Sequence, residues 1–297
     1  MLRIGVDLGG TKTEIIAINN AGDIVHSKRV KSPQNDYRET LDNIVSLIRE
    51  CERQTGHIAT IGIGTPGTIS TRTQTLKNSN STWLNGKPLH RDLEEILDRE
   101  IRIANDANCF TLSEAIDGAA ANDNTVFGVI IGTGTGGGIV IDKKLLNGPN
   151  GITGEWGHNP LPWKTPAETP GPECYCGKSG CIETFLSGPG MTADFKRKTK
   201  NTLAPPEILE LARDGNTFAI EILDRYYERM AKSLAHIINI LDPDTIVLGG
   251  GMSNIEGIYE EIPKRWGNYV FSDSCETKLL KAKYGDASGV RGAAKLW

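Results

Sequence analysis

Leu2-Arg3-Ile4-Gly5-Val6-Asp7-Leu8-Gly9-Gly10-Thr11-Lys12-Thr13, followed at once by the apolar run Ile15 to Ile18, decides how this chain of 297 residues is read. Leu2 to Val6 has the composition of a buried strand, the Gly/Thr segment that of a turn, and the second run that of a returning strand. Glycines at such a turn let the backbone approach a ligand closely. Successive N–H groups there form an anion-binding concavity, with the Thr11 hydroxyl as a further donor. On this segment alone a plain hairpin turn reads equally well. The Gly-x-x-x-x-Gly-Lys-Ser/Thr spacing of a P-loop is missing, and no helix follows directly. The pattern then returns: Thr125 to Ile131 is apolar, Gly132-Thr133-Gly134-Thr135-Gly136-Gly137-Gly138 is a second Gly/Thr turn, and Ile139 to Ile141 is a strand. The echo predicts two lobes of related α/β architecture, each offering a phosphate-cradling turn to a shared cleft. Recurrence weakens the hairpin reading for both.

Between the two turns, Ile24 to Val30 reads as a third strand. Tyr37 to Arg53 places Leu41, Ile44, Val45, Leu47 and Ile48 at the spacing of an amphipathic helix. Ile58 to Ile63 is a strand that delivers Gly64-Thr65-Pro66-Gly67, whose backbone at Gly67 is free for close contact with a small ligand. The polar loop Asn78-Ser79-Asn80-Ser81-Thr82-Trp83-Leu84-Asn85-Gly86 offers amides such as Asn80 and one aromatic ring, the composition needed to grip a polyol. A solvated loop with Trp83 packed underneath fits it as well. A helix from Pro88 to about Arg99 and a strand from Ile101 to Ala104 lead into Asn105-Asp106-Ala107-Asn108, and a helix follows to Ala119. Asp106 thus sits at a strand end and a helix N-terminus, where a carboxylate is electrostatically favoured. A helix cap explains one acid there but not the whole polar run, so Asp106 is read as catalytic or substrate-binding.

Gly154 to Glu183 carries Glu155-Trp156-Gly157-His158 and Cys174-Tyr175-Cys176-Gly177-Lys178-Ser179-Gly180-Cys181. Three cysteines set among Gly, Lys, Ser and Pro, with one histidine, form a closed Cys₃His composition suited to structural zinc on His158, Cys174, Cys176 and Cys181. Thr217 to Leu241 is a long helix with Ile220, Leu223, Tyr227, Met230, Leu234, Ile237, Ile238 and Leu241 on its expected buried face. Thr245 to Leu248 leads into Gly249-Gly250-Gly251, bare enough for a flat group such as adenine to lie on it, although a tight strand-to-helix turn is the bland alternative. A net charge of −4 gives no drive toward nucleic acid or an anionic membrane. No apolar segment reaches the roughly 18 residues of a membrane-spanning helix, and scattered cysteines fit a reducing, cytoplasmic setting.

Taken with these turns, the chain resembles the ROK family of sugar kinases through Asp7 to Lys12, Gly132 to Gly138, Glu155 to His158, Cys174 to Glu183 and Gly249 to Gly251. The resemblance implies an actin-like, ribonuclease H-like ATPase fold of two lobes with a central cleft. It implies an N-terminal lobe of residues 1–118, with a C-terminal helix at about 287–297 packing back on it, and a C-terminal lobe of residues 119–286 holding the zinc loop. Asp106 would be the base that takes the proton from the sugar's primary hydroxyl. Gly67, Asn80, Asn105, Glu155, His158 and Glu183 would hold the sugar. Gly9, Gly10, Thr11, Lys12, Gly132, Thr133 and Gly134 would hold ATP phosphates. Asp7 would help place Mg²⁺, and Gly249, Gly250 and Gly251 would lie near the adenosine. A homodimer is expected on the same ground. Trp83-Leu84-Asn85-Gly86 and Gly157-His158-Asn159-Pro160-Leu161-Pro162-Trp163 are similar to the bacterial manno(fructo)kinase branch, so fructose is the first expected substrate and N-acetylglucosamine the second. DNA-binding regulators of the family carry a helix-turn-helix ahead of this first strand, which here starts at residue 2, and none is expected.

Overall fold

The computed structural model describes residues 2–297. In chain order the elements are β1 (Arg3–Leu8), β2 (Lys12–Ile18), β3 (Ile24–Lys31), α1 (Tyr37–Thr55), β4 (Thr60–Thr65), β5 (Thr68–Ile69), β6 (Leu76–Lys77), α2 (Leu89–Leu97), β7 (Ile101–Asn105) and α3 (Asp106–Ile116). There follow β8 (Thr125–Ile131), β9 (Thr135–Ile141), β10 (Lys144–Leu145), α4 (Glu183–Leu186), α5 (Gly188–Thr199), α6 (Pro205–Arg213), α7 (Thr217–Leu241), β11 (Thr245–Gly249), α8 (Ile258–Trp266), β12 (Lys278–Lys281) and α9 (Ser288–Ala294). They fall into two compact units, one of residues 1–121, 138–153 and 283–297, the other of residues 122–137 and 154–282. Among the described residues no helix is long and apolar enough to cross a membrane.

The first unit is built on the sheet β3-β2-β1-β4-β7. β1 pairs antiparallel with β2, which pairs antiparallel with β3, whereas β4 and β7 run parallel to β1. The amphipathic pattern read in the sequence makes α1: Asp36 caps its first turn, and Gly56, at φ +70, ends it in the left-handed region. Its Leu41, Ile44, Leu47 and Ile48 join Ile4, Val6, Ile61 and Ile63 in one buried cluster. α9 packs so closely on β1 and β4 that a Cβ at Gly5 or Gly62 would collide with the carbonyls of Val290 and Ala293. Only glycine permits that approach.

Residues 138–153 group with this first unit rather than with the residues that flank them, a boundary the sequence pattern does not mark. Lys143 Nζ donates to the carbonyls of Ala115 and Ala121, and Lys77 Nζ donates to Asn150 O. Residues 283–286 belong here too, where Glu114 accepts from the Lys283 N–H. The strand expected at Ile58 starts at Thr60, leaving Ile58 84% exposed.

The second unit holds β8, β11 and β12 in parallel, within the ladder order β10-β9-β8-β11-β12. Gly136 to Gly138, expected in the turn, instead continue β9. The reason at Gly137 is packing, because a Cβ there would stand 2.9 Å from the Trp156 ring. α7 forms over the expected span, capped by Asn216 and closed by Asp242 at φ +48. Its buried face is Ala219, Ile222, Tyr226, Met230, Ala231, Leu234, Ala235 and Ile238, whereas Ile220 is 48% exposed. The expected stripe is therefore rotated at its N-terminal end, and the covered face also takes in Arg229 and Lys232.

Candidate active site

In the first unit the β1–β2 turn is closed by Gly9 N–H donating to Lys12 O at 3.0 Å. Ser32, at the end of β3, pins it from behind: its hydroxyl donates to Gly9 O at 2.7 Å, and its N–H donates to Thr11 O at 3.0 Å. Thr11 and Lys12 are exposed. Ser32 was not singled out in the sequence, since a lone serine after a strand carries no signal.

Asn105 caps α3, its Oδ1 accepting from Ala107 N–H at 2.9 Å, while its Nδ2 donates to Gly67 O at 3.1 Å. One amide thus fixes both the start of α3 and the turn after β4. Asp106 follows as the first helical residue, exposed, with its Oδ1 accepting from Ala107 N–H at 2.8 Å. Asp7, at the end of β1, has its carboxyl pushed up to about 7 by burial, then by the negative charges of Asp106 and Glu14, with Arg29 opposing. Cys109 is buried in the same neighbourhood, its thiol raised well above the usual range by burial and then by Asp7 and Asp106.

In the polar loop at 78–86, Ser79 and Asn85 bond to the loop's own backbone. Asn85 accepts from Ser79 N–H at 2.9 Å and donates to Ser79 O at 2.9 Å. Trp83 is partly buried against the core cluster, and its indole N–H donates to Thr40 Oγ1 at 3.3 Å. Of the residues proposed to grip a sugar from this loop, Asn80 stays exposed.

In the second unit Gly132 N–H donates to Gly134 O at 3.0 Å, closing the turn between β8 and β9 and leaving Thr133 exposed. Gly132 and Thr133 line a cavity of about 890 Å³ together with Gly188, Pro205, Gly251 and Met252. Of the third glycine run only Gly251 lines it: Gly249 ends β11, and Gly250, at φ +79, is backed by the Ile131 main chain. Sequence reading missed the prolines of this wall, Pro189, Pro205 and Pro206, which look like ordinary helix starts.

His158, Cys174, Cys176 and Cys181 bring their ligand atoms within 4.8 Å of one another. Tetrahedral zinc, with bonds of about 2.3 Å to sulfur and about 2.0 Å to nitrogen, sets S···S edges of about 3.8 Å and S···N edges of about 3.5 Å. Cys176 and Cys181 Sγ lie 3.7 Å apart, and Cys174 Sγ lies 3.6 Å from His158 Nδ1. The donor set fits zinc in chemistry, and these two of its six edges match the spacing. The other nitrogen, His158 Nε2, is 2.9 Å from the Tyr175 hydroxyl, and the two rings meet edge to face. Tyr175 is 83% exposed as a residue, and its phenol is pushed up to about 12 by partial burial and then by the charges of Glu183, Cys174 and Glu155. Glu183 Oε2 accepts from Thr135 N–H at 2.8 Å.

Comparison with known proteins identifies the family. A model of the ROK family matches residues 3–297. An N-acetyl-D-glucosamine kinase of Photobacterium profundum is 41% identical, covering 98% of each chain. The ROK hexokinase of Thermus thermophilus superposes with a TM-score of 0.88 at 29% identity, over 99% of this chain and 97% of that one. A ROK family glucokinase of Streptomyces griseus, in complex with glucose and AMPPNP, gives 0.77 at 26% identity over 100% and 99%.

Proposed function

The chain belongs to the ROK family and is an ATP-dependent sugar kinase of actin-like fold, and we propose that its acceptor is the primary hydroxyl of N-acetyl-D-glucosamine. The observation that carries the substrate is the 41% identity with an N-acetyl-D-glucosamine kinase along nearly the full length of both chains. This reverses the order expected from the sequence, where fructose stood first. Trp83 and Asn85, in one of the segments on which that order rested, bond to Thr40 and Ser79, so loop packing accounts for them without a sugar contact.

In this reading Asp106 accepts the proton of the sugar hydroxyl as that oxygen attacks the γ-phosphate of ATP. Asn105, Asn80 and the Gly67 backbone are the sugar-binding candidates of the first unit, and Glu155, His158 and Glu183 are those of the second. His158 offers Nε2 once the exposed Tyr175 phenol turns away. Gly9, Gly10, Thr11 and Lys12 form one phosphate turn, and Gly132, Thr133 and Gly134 the other. The adenosine lies in the cavity beside Gly251. Mg²⁺ would be placed with the help of Asp7, whose crowded carboxylate gains from a cation, and it would supply charge neutralisation at the phosphates. Zinc on His158, Cys174, Cys176 and Cys181 would be structural, because four protein ligands leave no open position. Thiolate ligation implies a reducing, cytoplasmic setting, and a homodimer is proposed on the family resemblance alone.

The test is a coupled ADP-release assay with MgATP and N-acetylglucosamine, fructose, mannose, glucose and N-acetylmannosamine, run beside Asp106→Ala. Turnover greatest with N-acetylglucosamine and lost in the variant is expected. Highest kcat/KM with fructose would restore the earlier order.

A further inference from the structure

The turn between β8 and β9 is gripped at both ends by one short segment. At one end Thr135 N–H donates to Glu183 Oε2 at 2.8 Å. At the other, Gly188 N–H donates to Gly132 O at 2.8 Å. The residues between the two grips form α4, closed by Ser187 N–H donating to Glu183 O at 3.1 Å. The fit at Glu183 is tight, since a Cβ on Gly134 would stand 2.7 Å from its Oε2. Gly132, Thr133 and Gly188 line the large cavity of this unit, so the Gly188 grip adjoins that space and the Glu183 grip holds the other end of the same turn.

We propose that Glu183 is a positioning residue for the nucleotide phosphates: one carboxylate oxygen fixes the Gly132–Thr135 turn, which leaves the other for a sugar hydroxyl. The inference rests on the kinase reading and adds to it a physical link between the two ligands. A turn with two glycines in four residues loses more backbone freedom on ordering than most, and an unanchored turn would charge that loss against nucleotide binding. A charge-assisted hydrogen bond from Thr135 settles it beforehand. Because the same carboxylate then faces the sugar, any sugar contact that steadies Glu183 steadies the turn. Linkage requires nucleotide to favour sugar by the same factor.

The experiment is calorimetric titration of the full chain, metal content verified, with the magnesium complex of a non-hydrolysable ATP analogue and no sugar present. Glu183→Ala is expected to weaken nucleotide binding about tenfold or more, the range for losing a hydrogen bond to a charged group. Glu183→Gln keeps a carbonyl for Thr135 N–H and is expected to stay within about threefold of the parent, since a neutral acceptor costs less. Gly134→Ala leaves Glu183 in the chain but displaces its carboxylate, so it should mimic Glu183→Ala and faster amide exchange at Thr135 should accompany both. Parent-like nucleotide affinity in Glu183→Ala and Gly134→Ala overturns the proposal and leaves the kinase reading intact. No nucleotide affinity in the parent overturns both.

Discussion

Arg229→Met removes the cation at the centre of the most buried ion network among the described residues. The Arg229 side chain is 6% exposed and donates to Glu168 Oε1 and Asp194 Oδ2, each at 2.7 Å. It also stacks over the Phe185 ring at 4.9 Å. Removing one partner of a buried pair costs about 3–5 kcal/mol, because the remaining charge is stranded. The two carboxylates are not equally stranded, however. Asp194 keeps Arg197 and Arg225, at 50% and 31% exposure, whereas Glu168 keeps only the N–H and hydroxyl of Thr165. The cost should therefore sit near the low end, about 3 kcal/mol, or about 6–12 °C in Tm for the unit that contains it.

The pH dependence carries the same signature. At both acids burial opposes ionisation but is outweighed, at Asp194 by Arg229 and Arg225 and at Glu168 by Thr165 and Arg229, so both lie below their ordinary values of 3.8 and 4.5. A depressed carboxyl contributes stability that is present above its unfolded value and lost as pH falls through its folded one. The parent should then lose stability below about pH 4.5, and the gap to Arg229→Met should narrow over the same window. Thermal melts of parent, Arg229→Met and Arg229→Met/Glu168→Gln from about pH 2.5 to about pH 7 measure this, with the double variant recovering part of the loss. A single-variant cost under about 1 kcal/mol at pH 7, the range of exposed pairs, would refute the reasoning.

Three further outcomes are expected. Asp106→Asn should lower kcat by about 10²–10⁴ while sugar KM stays within a few-fold, the split that separates a lost base from lost binding in steady-state kinetics. Chelation of the Cys₃His metal, or Cys181→Ser, should lower Tm and abolish sugar binding by calorimetry; full activity in verified metal-free protein would contradict the structural-zinc assignment. Trp83→Phe should cost about 1 kcal/mol through the lost bond to Thr40, with the order of sugar preference unchanged; a changed order in the substrate panel would return Trp83 to the sugar.

What the sequence revealed follows from which interactions are local. The two Gly/Thr turns, the α1 and α7 spans and the Cys₃His set depend on residues close in the chain, and each was readable. Asp7 lies on β1 and Asp106 follows the end of β7, strands separated by β4 in the sheet, so their mutual repulsion depends on strand order, which spacing does not encode. The loop at 78–86 shows a different limit. Amides that cap their own backbone and amides that grip a polyol have the same composition, and only Asn85 folded onto Ser79 distinguishes them. Gly137 adds a third case, since a glycine required by the Trp156 ring is indistinguishable in sequence from one required by a turn.

The short helix α4 shows why the Cys₃His loop has to end where it does. Four residues cannot hold a helix alone, because nucleation costs more than one turn of hydrogen bonds returns. Here the segment is fixed from three directions. Cys181 precedes it by two residues within the metal-ligand cluster, Phe185 lies under Arg229, and Ser187 caps α5 by accepting from Gly190 N–H. Glu183 is therefore held by its neighbours before any ligand arrives, and its Oε2 can hold Thr135 in turn. Loss of metal would release the first anchor, and loss of Arg229 the second. Each should then loosen the Gly132–Thr135 turn without touching it, so amide exchange at Thr135 ought to quicken in metal-free protein and in Arg229→Met alike.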